Sequence, residues 1–427
     1  MNRDDAVALD RADPLAPLRD LFDLPEKTIY LDGNSLGALP RATAGRVAEV
    51  VTQEWGQGLI ESWNTASWIT LPQRVGDKIA RLVGAGQGEV VVADSTSLNV
   101  YKVLASALSI ASVDSPDRRV VVSERSNFPT DLYIASSLCR ERGYELVLVD
   151  SPDEIEGLLD RTAVLMLTEV NYRTGYLHSM ASVTELAHEH GVLAVWDLCH
   201  SAGAVPVDLR GADADFAIGC GYKFLNGGPG SPAFLWVNPR HVDRFEQPLS
   251  GWMGHAAPFE MSPGYRPAEG VSRYLSGTPA VIGISALECG VDTLLAAETY
   301  GGLEAIREKS LALTRLFAHL VASRLPGFTI ESPLDDSLRG SQLSLSTGEG
   351  AYAIVQALIE RGVVGDFRAG SIASGSASAG TPDILRFGVT PLYTRYVDVW
   401  DAVDHLVSVM DNDEWRDERF WTRGAVT

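Results

Sequence analysis

VLAVWDLCHSAGAVPVDLRGADADFAIGCGYKFLNGGPG, residues 192–230, decides the fold. Its first apolar run, 192–196, closes on Asp197, and its second, 214–219, closes on a Gly-Cys-Gly turn followed by Tyr222 and Lys223. Runs that are apolar without alternation are expected of strands buried on both faces of a parallel sheet. Open sheets of that kind receive their ligands at the strand carboxyl ends. Asp197 and Lys223 therefore fall where chemistry is expected, and the 26 positions from Asp197 to Lys223 leave room for one crossover. The glycines around Lys223 indicate tight turns or close backbone approach rather than a solvated surface. An amine squeezed there is expected to have its pKa lowered by burial, which frees it as a nucleophile or base. Taken alone, Asp197 could simply cap a turn and Lys223 could be a surface charge.

Further β-type runs lie at 89–93, 119–123, 145–149, 163–168 and 233–237, separated by helix-length stretches such as 97–110 and 181–190. The alternation predicts βαβ units: an α/β fold with a mainly parallel seven-stranded sheet between helices. The expected large domain spans 51–290, preceded by an arm and turn at 1–50 that packs with a smaller domain. That smaller α+β domain, 291–427, is expected to open with one long helix over 291–325. It continues with a strand at 342–346, a helix at 350–361, a Ser/Gly/Ala-rich loop at 370–380 and a last helix at 396–411. Residues 28–40 give a strand and a Gly/Asn/Ser-rich turn.

The chain has 427 residues, 45% of them hydrophobic, which fits two packed domains and leaves little room for disorder. A net charge of −21 without any Lys/Arg-rich stretch argues against nucleic acid as a partner. The four cysteines, Cys139, Cys199, Cys220 and Cys289, lack metal or disulfide spacing and are expected as reduced thiols. No apolar run reaches the roughly 18 residues of a membrane span, and the amino terminus lacks a signal-peptide apolar region. The expectation is a cytoplasmic protein without membrane partners.

An acid at one strand end and a lysine just past the next are what pyridoxal phosphate (PLP) requires. The lysine holds the aldehyde as a Schiff base, and the carboxylate keeps the pyridine nitrogen protonated. Its phosphate needs oriented donors in so acidic a chain. Ser95, Thr96 and Ser97 stand directly before an apolar-periodic stretch, at the start of a helix where free amides and the dipole favour an anion. The same residues would equally serve as an ordinary helix cap.

DGNSLG (32–37), NFPTD (127–131), WDLCHSAGAVPVDL (196–209), GYKFLNGGPGSPAF (221–234), GWMGH (251–255) and LRFGVTPLY (385–393) together resemble kynureninase, in order along the chain. The resemblance implies PLP fold type I, a homodimer with shared active sites, and hydrolysis of the Cβ–Cγ bond of L-kynurenine or its 3-hydroxy derivative. It implies Lys223 as Schiff-base lysine, Asp197 as pyridinium partner, and Thr96, Ser97 and Tyr222 as phosphate contacts. Tyr222 is also a possible proton donor. Phe128 is implied as the ring-stacking aromatic, and Asp131, Thr168 and His200 as further cofactor contacts. Trp252 and Thr278 match positions that reach the phosphate from the neighbouring subunit. Arg386 resembles the holder of the substrate carboxylate. A guanidinium inside apolar LRFGV needs a partner, and a bidentate carboxylate suits its planar fork. The chain departs from animal members in having Gly277 and Thr278 where they carry Ser and Asn. The stretch around Trp63 also lacks their ring-facing histidine. Gly277 and Trp63 are therefore expected to border the substrate ring, Trp63 with core packing as the alternative. No metal is implied. A cysteine desulfurase or selenocysteine lyase would need a reactive cysteine in the loop 365–385, which has none. An aminotransferase, or a PLP-binding protein without catalysis, is separated from kynureninase by its products.

Overall fold

A computed structural model describes residues 2–245, 247–371 and 380–424. Residues 372–379, most of the Ser/Gly/Ala-rich loop, lie outside these. The chain divides into two compact units: one of Met1–Arg41, Tyr172–Leu177 and Thr293–Thr427, the other of Ala42–Asn171 and His178–Asp292.

In the larger unit, seven strands form one sheet: β1 (Val90–Val92), β2 (Val120–Glu124), β3 (Glu145–Val149), β4 (Thr162–Thr168), β5 (Leu193–Asp197), β6 (Phe216–Gly219) and β7 (Phe234–Val237). Their spatial order is β1-β7-β6-β5-β4-β2-β3. All pairings are parallel except those of β7, which runs antiparallel to β1 and to β6. Every residue of β1, β2, β4, β6 and β7 is buried, which is why these strands read as unbroken apolar runs rather than alternating ones. Helix α1 (Thr96–Asp114) supplies Val100, Val103, Leu104, Ala107 and Leu108 to the core beside Val121, Val164 and Ile218. A fully buried Val or Leu side chain stabilises by roughly 1.5–3 kcal/mol, so this helix is anchored by packing. Helix α2 (Pro129–Arg142) starts on a proline, whose missing N–H costs nothing in a first turn, and stops at Gly143 with φ +73°. Helix α3 (Met180–Glu189) connects β4 to β5.

After α4 (Val281–Leu295), the single helix expected over 291–325 is not what forms. Gly301 and Gly302 take φ +103° and +66°, a left-handed pair that cannot continue a helix, and α5 (Gly302–Arg324) starts afresh. Apolar periodicity runs through the break and hid it. The smaller unit holds an antiparallel sheet of β8 (Thr329–Ile330), β9 (Gln342–Ser346), β10 (Asp366–Arg368) and β11 (Ile384–Gly388), in the order β8-β9-β11-β10. Leu313 and Phe317 of α5 meet Leu343, Leu345, Leu385 and Phe387 of the sheet in one core. Helices α6 (Ala351–Glu360) and α7 (Tyr396–Asp411) complete the layer. Residues 29–30 pair in parallel with 363–364, and Asp32 bridges Gly388, so the DGNSLG turn belongs to this unit. Among the described residues, no helix is long and apolar enough to cross a membrane, and no group of side chains could hold a metal ion.

Candidate active site

Asp197 is the last residue of β5 and is buried; its Oδ1 accepts the Cys199 backbone N–H at 2.6 Å. On the next strand, β6 ends at Gly219, and the turn that follows carries Tyr222 and Lys223. The backbone needs glycine here: a Cβ on Gly221 would lie 2.3 Å from the Pro232 carbonyl oxygen. Lys223 is 9% exposed, and its Nζ lies 2.9 Å from His200 Nε2. The same Nζ stands 5.8 Å from the ring centre of Phe128 and 5.8 Å from that of Tyr222. Phe128 caps α2 and remains 43% exposed, an aromatic face turned outward beside a buried amine.

The charges around this amine correct one expectation. Burial does oppose the ammonium of Lys223, but Cys220, Cys199, Tyr222 and Asp197 together outweigh it, and its pKa is raised rather than lowered. Burial, and then Cys220, pushes the Tyr222 phenol up to about 12, so it stays protonated. Asp131, in the first turn of α2, is pushed well above the ordinary carboxylate range by burial, then by the charge of Asp197 and a hydrogen bond with it. Of that pair, Asp131 is the one whose surroundings favour the protonated form. Two like carboxyls at hydrogen-bonding distance cannot both ionise in a dry site.

Thr168 ends β4 directly opposite Asp197 in the strand register, with its hydroxyl on the Val170 carbonyl at 3.1 Å. Thr96 and Ser97 open α1 behind the Ser95 cap, and Thr96 Oγ1 lies 3.9 Å from Cys199 Sγ. The turn before them is fixed by Lys102, fully buried, which donates to Asp94 and to the Tyr274 carbonyl. Thus Asp197, Lys223, His200, Tyr222, Phe128, Asp131, Thr168 and Thr96 gather at the strand ends of one unit. Trp63 and Trp252 instead pair with each other, ring centres 6.0 Å apart, beside Phe259 in an apolar groove. Gly277 and Thr278 lie exposed in the loop before α4.

Arg386 sits in β11 of the smaller unit and is 1% exposed. Most of its fork, which the residue pattern suggested would meet an outside carboxylate, is already engaged within the chain. Nε donates to Asp366 Oδ1 at 2.8 Å and Nη2 to Asp366 Oδ2, while Nη2 also donates to Ser35 Oγ at 2.6 Å and Nη1 to the Tyr172 carbonyl at 2.8 Å. Sequence reasoning missed Asp366. The signal was present: Asp366 and Arg368 are two apart in a strand and share a face, and Asp366 is the register partner of Arg386. It also missed Glu169, fully buried just past Thr168, whose carboxyl burial pushes up to about 7. All four cysteines are free thiols, three of them buried.

The larger unit fits PLP. It offers a buried amine for the aldehyde and an acid held by a backbone N–H for the ring nitrogen. It also offers an outward aromatic face for the ring, and a helix start with two hydroxyl residues for the phosphate.

The chain is 54% identical to a kynureninase of Burkholderia pseudomallei and 52% identical to one of Pseudomonas fluorescens, each over 430 residues, covering 100% of this chain and 99% of the relative. Residues 306–406 match the family model described as the kynureninase C-terminal domain. Among solved structures it is similar to a cysteine desulfurase from Thermococcus onnurineus NA1, with 19% identity and a TM-score of 0.74 over 93% of this chain and 97% of that one. It is also similar to a C-DES variant with glycine covalently linked to its PLP cofactor, with 16% identity and a TM-score of 0.77 over 91% and 98%. At such identities these two show the fold alone, that of PLP-dependent fold type I.

Proposed function

The chain belongs to the kynureninase family, and we propose that it hydrolyses the Cβ–Cγ bond of L-kynurenine, or of 3-hydroxy-L-kynurenine, to anthranilate or 3-hydroxyanthranilate and L-alanine. The observation that carries this reading is the buried amine of Lys223 at the carboxyl edge of the sheet, one strand from Asp197. Lys223 is the residue that holds PLP as a Schiff base, with Asp197 keeping a proton on its ring nitrogen. Thr96, Ser97 and Tyr222 serve its phosphate, Phe128 its ring face, and Asp131, Thr168 and His200 its remaining polar edge. When bound, the cofactor supplies an electron sink for the substrate's α- and β-carbons.

The protein's own groups do the rest. Arg386 binds the substrate carboxylate. Lys223, with its amine free and uncharged, would be the group placed to take the α-proton. Water adds to the side-chain ketone, and breaking the Cβ–Cγ bond leaves a carbon that must be protonated. Tyr222, whose phenol stays protonated, is a suitable donor there. Trp63 and Gly277 border the aromatic ring of the substrate.

The working form is proposed to be a homodimer in which Trp252 and Thr278 serve the neighbouring subunit's phosphate. In its support, Leu59, Ile60, Phe259 and Met261 are 61–77% exposed in the single chain, a large apolar area to leave in water. The free thiols support a cytoplasmic location, in the pathway of tryptophan breakdown. The test is a titration of the PLP-loaded protein with both substrates, followed by absorbance and by identification of products. Equimolar L-alanine and anthranilate, or its hydroxy form, are expected. Amino exchange with keto acids, or cofactor binding without product, would sink the reading.

A further inference from the structure

The pocket of charge around Arg386 is built for more than one guanidinium. Arg368, two residues beyond Asp366 on β10, donates from Nη2 to Asp366 Oδ2 at 2.6 Å and to Ser35 Oγ at 3.2 Å. Its Nε is buried and, among the described residues, has no acceptor. Of the five donors on Arg386, four are used among the described residues, which leaves one Nη1 hydrogen there. One hydrogen cannot hold a carboxylate bidentately. A second donor is needed, and Arg368 shares two of the Arg386 acceptors. The same group includes Asp32 of the DGNSLG turn, which bridges Gly388 two residues past Arg386 and feels Asp366, Arg386 and Arg368. Its Oδ1 is closed off from solvent and, among the described residues, has no donor.

The charge balance of this group is unusual. Two guanidinium groups meet Asp366 and Asp32, so the cluster is neutral when Asp32 is ionised and carries one positive charge when it is not. An arriving carboxylate is matched only in the second case. The groups that face Asp32 are Asp366, Arg386, Arg368, Tyr30 and Tyr393. Both phenols are pushed up by burial and stay neutral. Burial first, and then Asp366, raises the Asp32 carboxyl to about 7, against the pull of Arg386. Burial, and then Arg386, lowers the pKa of Arg368.

We propose that Arg368 is a second donor of the substrate-carboxylate subsite, and that Asp32 takes up a proton when the carboxylate binds. This deepens the reading of Arg386 given above and rests on it. Binding restricted to the protonated form scales KM inversely with the protonated fraction. KM should then rise about fivefold between pH 7 and pH 8.

The test uses the PLP-loaded enzyme. Asp32→Asn is expected to flatten that rise of KM while wild type shows it, and Arg368→Gln to raise KM about tenfold or more, with the loss falling on KM rather than on kcat. Independently of any variant, calorimetry at pH 8 in buffers of different ionisation enthalpy follows the binding of 4-(2-aminophenyl)-4-oxobutanoate. This probe has the substrate skeleton without the amine. Wild type is expected to take up about one proton per probe bound. An unchanged KM profile in Asp32→Asn, or no proton uptake by wild type, would overturn the inference. Arg386→Lys separates the levels. A raised KM in that variant with no role for Asp32 defeats only the inference, whereas an unaltered KM defeats the assignment of Arg386 itself.

Discussion

Replacing Asp366 by Asn should be the most damaging single change in the smaller unit that leaves the reacting groups untouched. Asp366 and Arg386 have side chains 3% and 1% exposed, and the carboxylate satisfies two edges of the guanidinium at once. It also accepts from Ser35 at 2.8 Å and from the more exposed Arg368. Asn keeps the shape but removes the charge and turns one acceptor into a donor facing guanidinium hydrogens. Leaving a buried charge without its counter-ion costs about 3–5 kcal/mol, and Arg368, partly solvated, adds under about 1 kcal/mol. For a unit of this size that corresponds to a fall in Tm of about 6–20 °C. The assay is denaturant and thermal unfolding of the cofactor-free protein, followed by circular dichroism. A loss below about 1 kcal/mol would show that the pair is not the anchor its geometry implies.

Asp215 is fully buried among His188, His241 and Arg240 and also accepts the Ala194 backbone N–H. Burial opposes its charge, but these donors outweigh burial and hold its pKa below the usual carboxylate range. The stability it gives is therefore complete above about pH 4 and lost below, so Asp215→Asn should be less stable at pH 7 by about 3 kcal/mol and less steeply acid-sensitive below pH 4 in urea titrations. Glu169 has the opposite sign. Its pKa is raised to about 7 by burial, so ionisation costs stability as pH rises from its unfolded value toward 7. Glu169→Gln should stabilise the cofactor-free protein at pH 8 by about 2–3 kcal/mol and change little at pH 4, as unfolding at the two pH values would show. Phe128, already half in solvent, should tolerate Ala with little loss of stability. Its cofactor affinity should nevertheless weaken by about 2–10-fold, measured by equilibrium dialysis of PLP, as expected for a lost stacking contact.

The seven strands were legible because five are buried throughout and the other two are also runs of mostly apolar residues, and every observed boundary falls within two residues of its run. The antiparallel course of β7 was not, since apolar content carries no direction. The break at Gly301–Gly302 was masked by periodicity on both sides, although two adjacent glycines were the available sign. Around the amine, sequence placed Asp197 and Lys223 by their strand ends. The raised pKa of Lys223 comes from Cys220, Cys199, Tyr222 and Asp197 together, and only tertiary structure brings the two thiols, on separate turns after β5 and β6, to it. Arg386 illustrates the same limit. Its burial could be read from LRFGV, but the residue pattern gave no sign that one partner, Asp366, stands on the neighbouring strand.

The covalent attachment of PLP is the point on which the functional account turns. Borohydride reduction of the PLP-loaded protein, proteolysis and mass spectrometry would locate it. The reduced cofactor is expected on the peptide containing Lys223, and Lys223→Ala should carry none and turn over no kynurenine. Label on a different lysine, or turnover by that variant, would contradict the account.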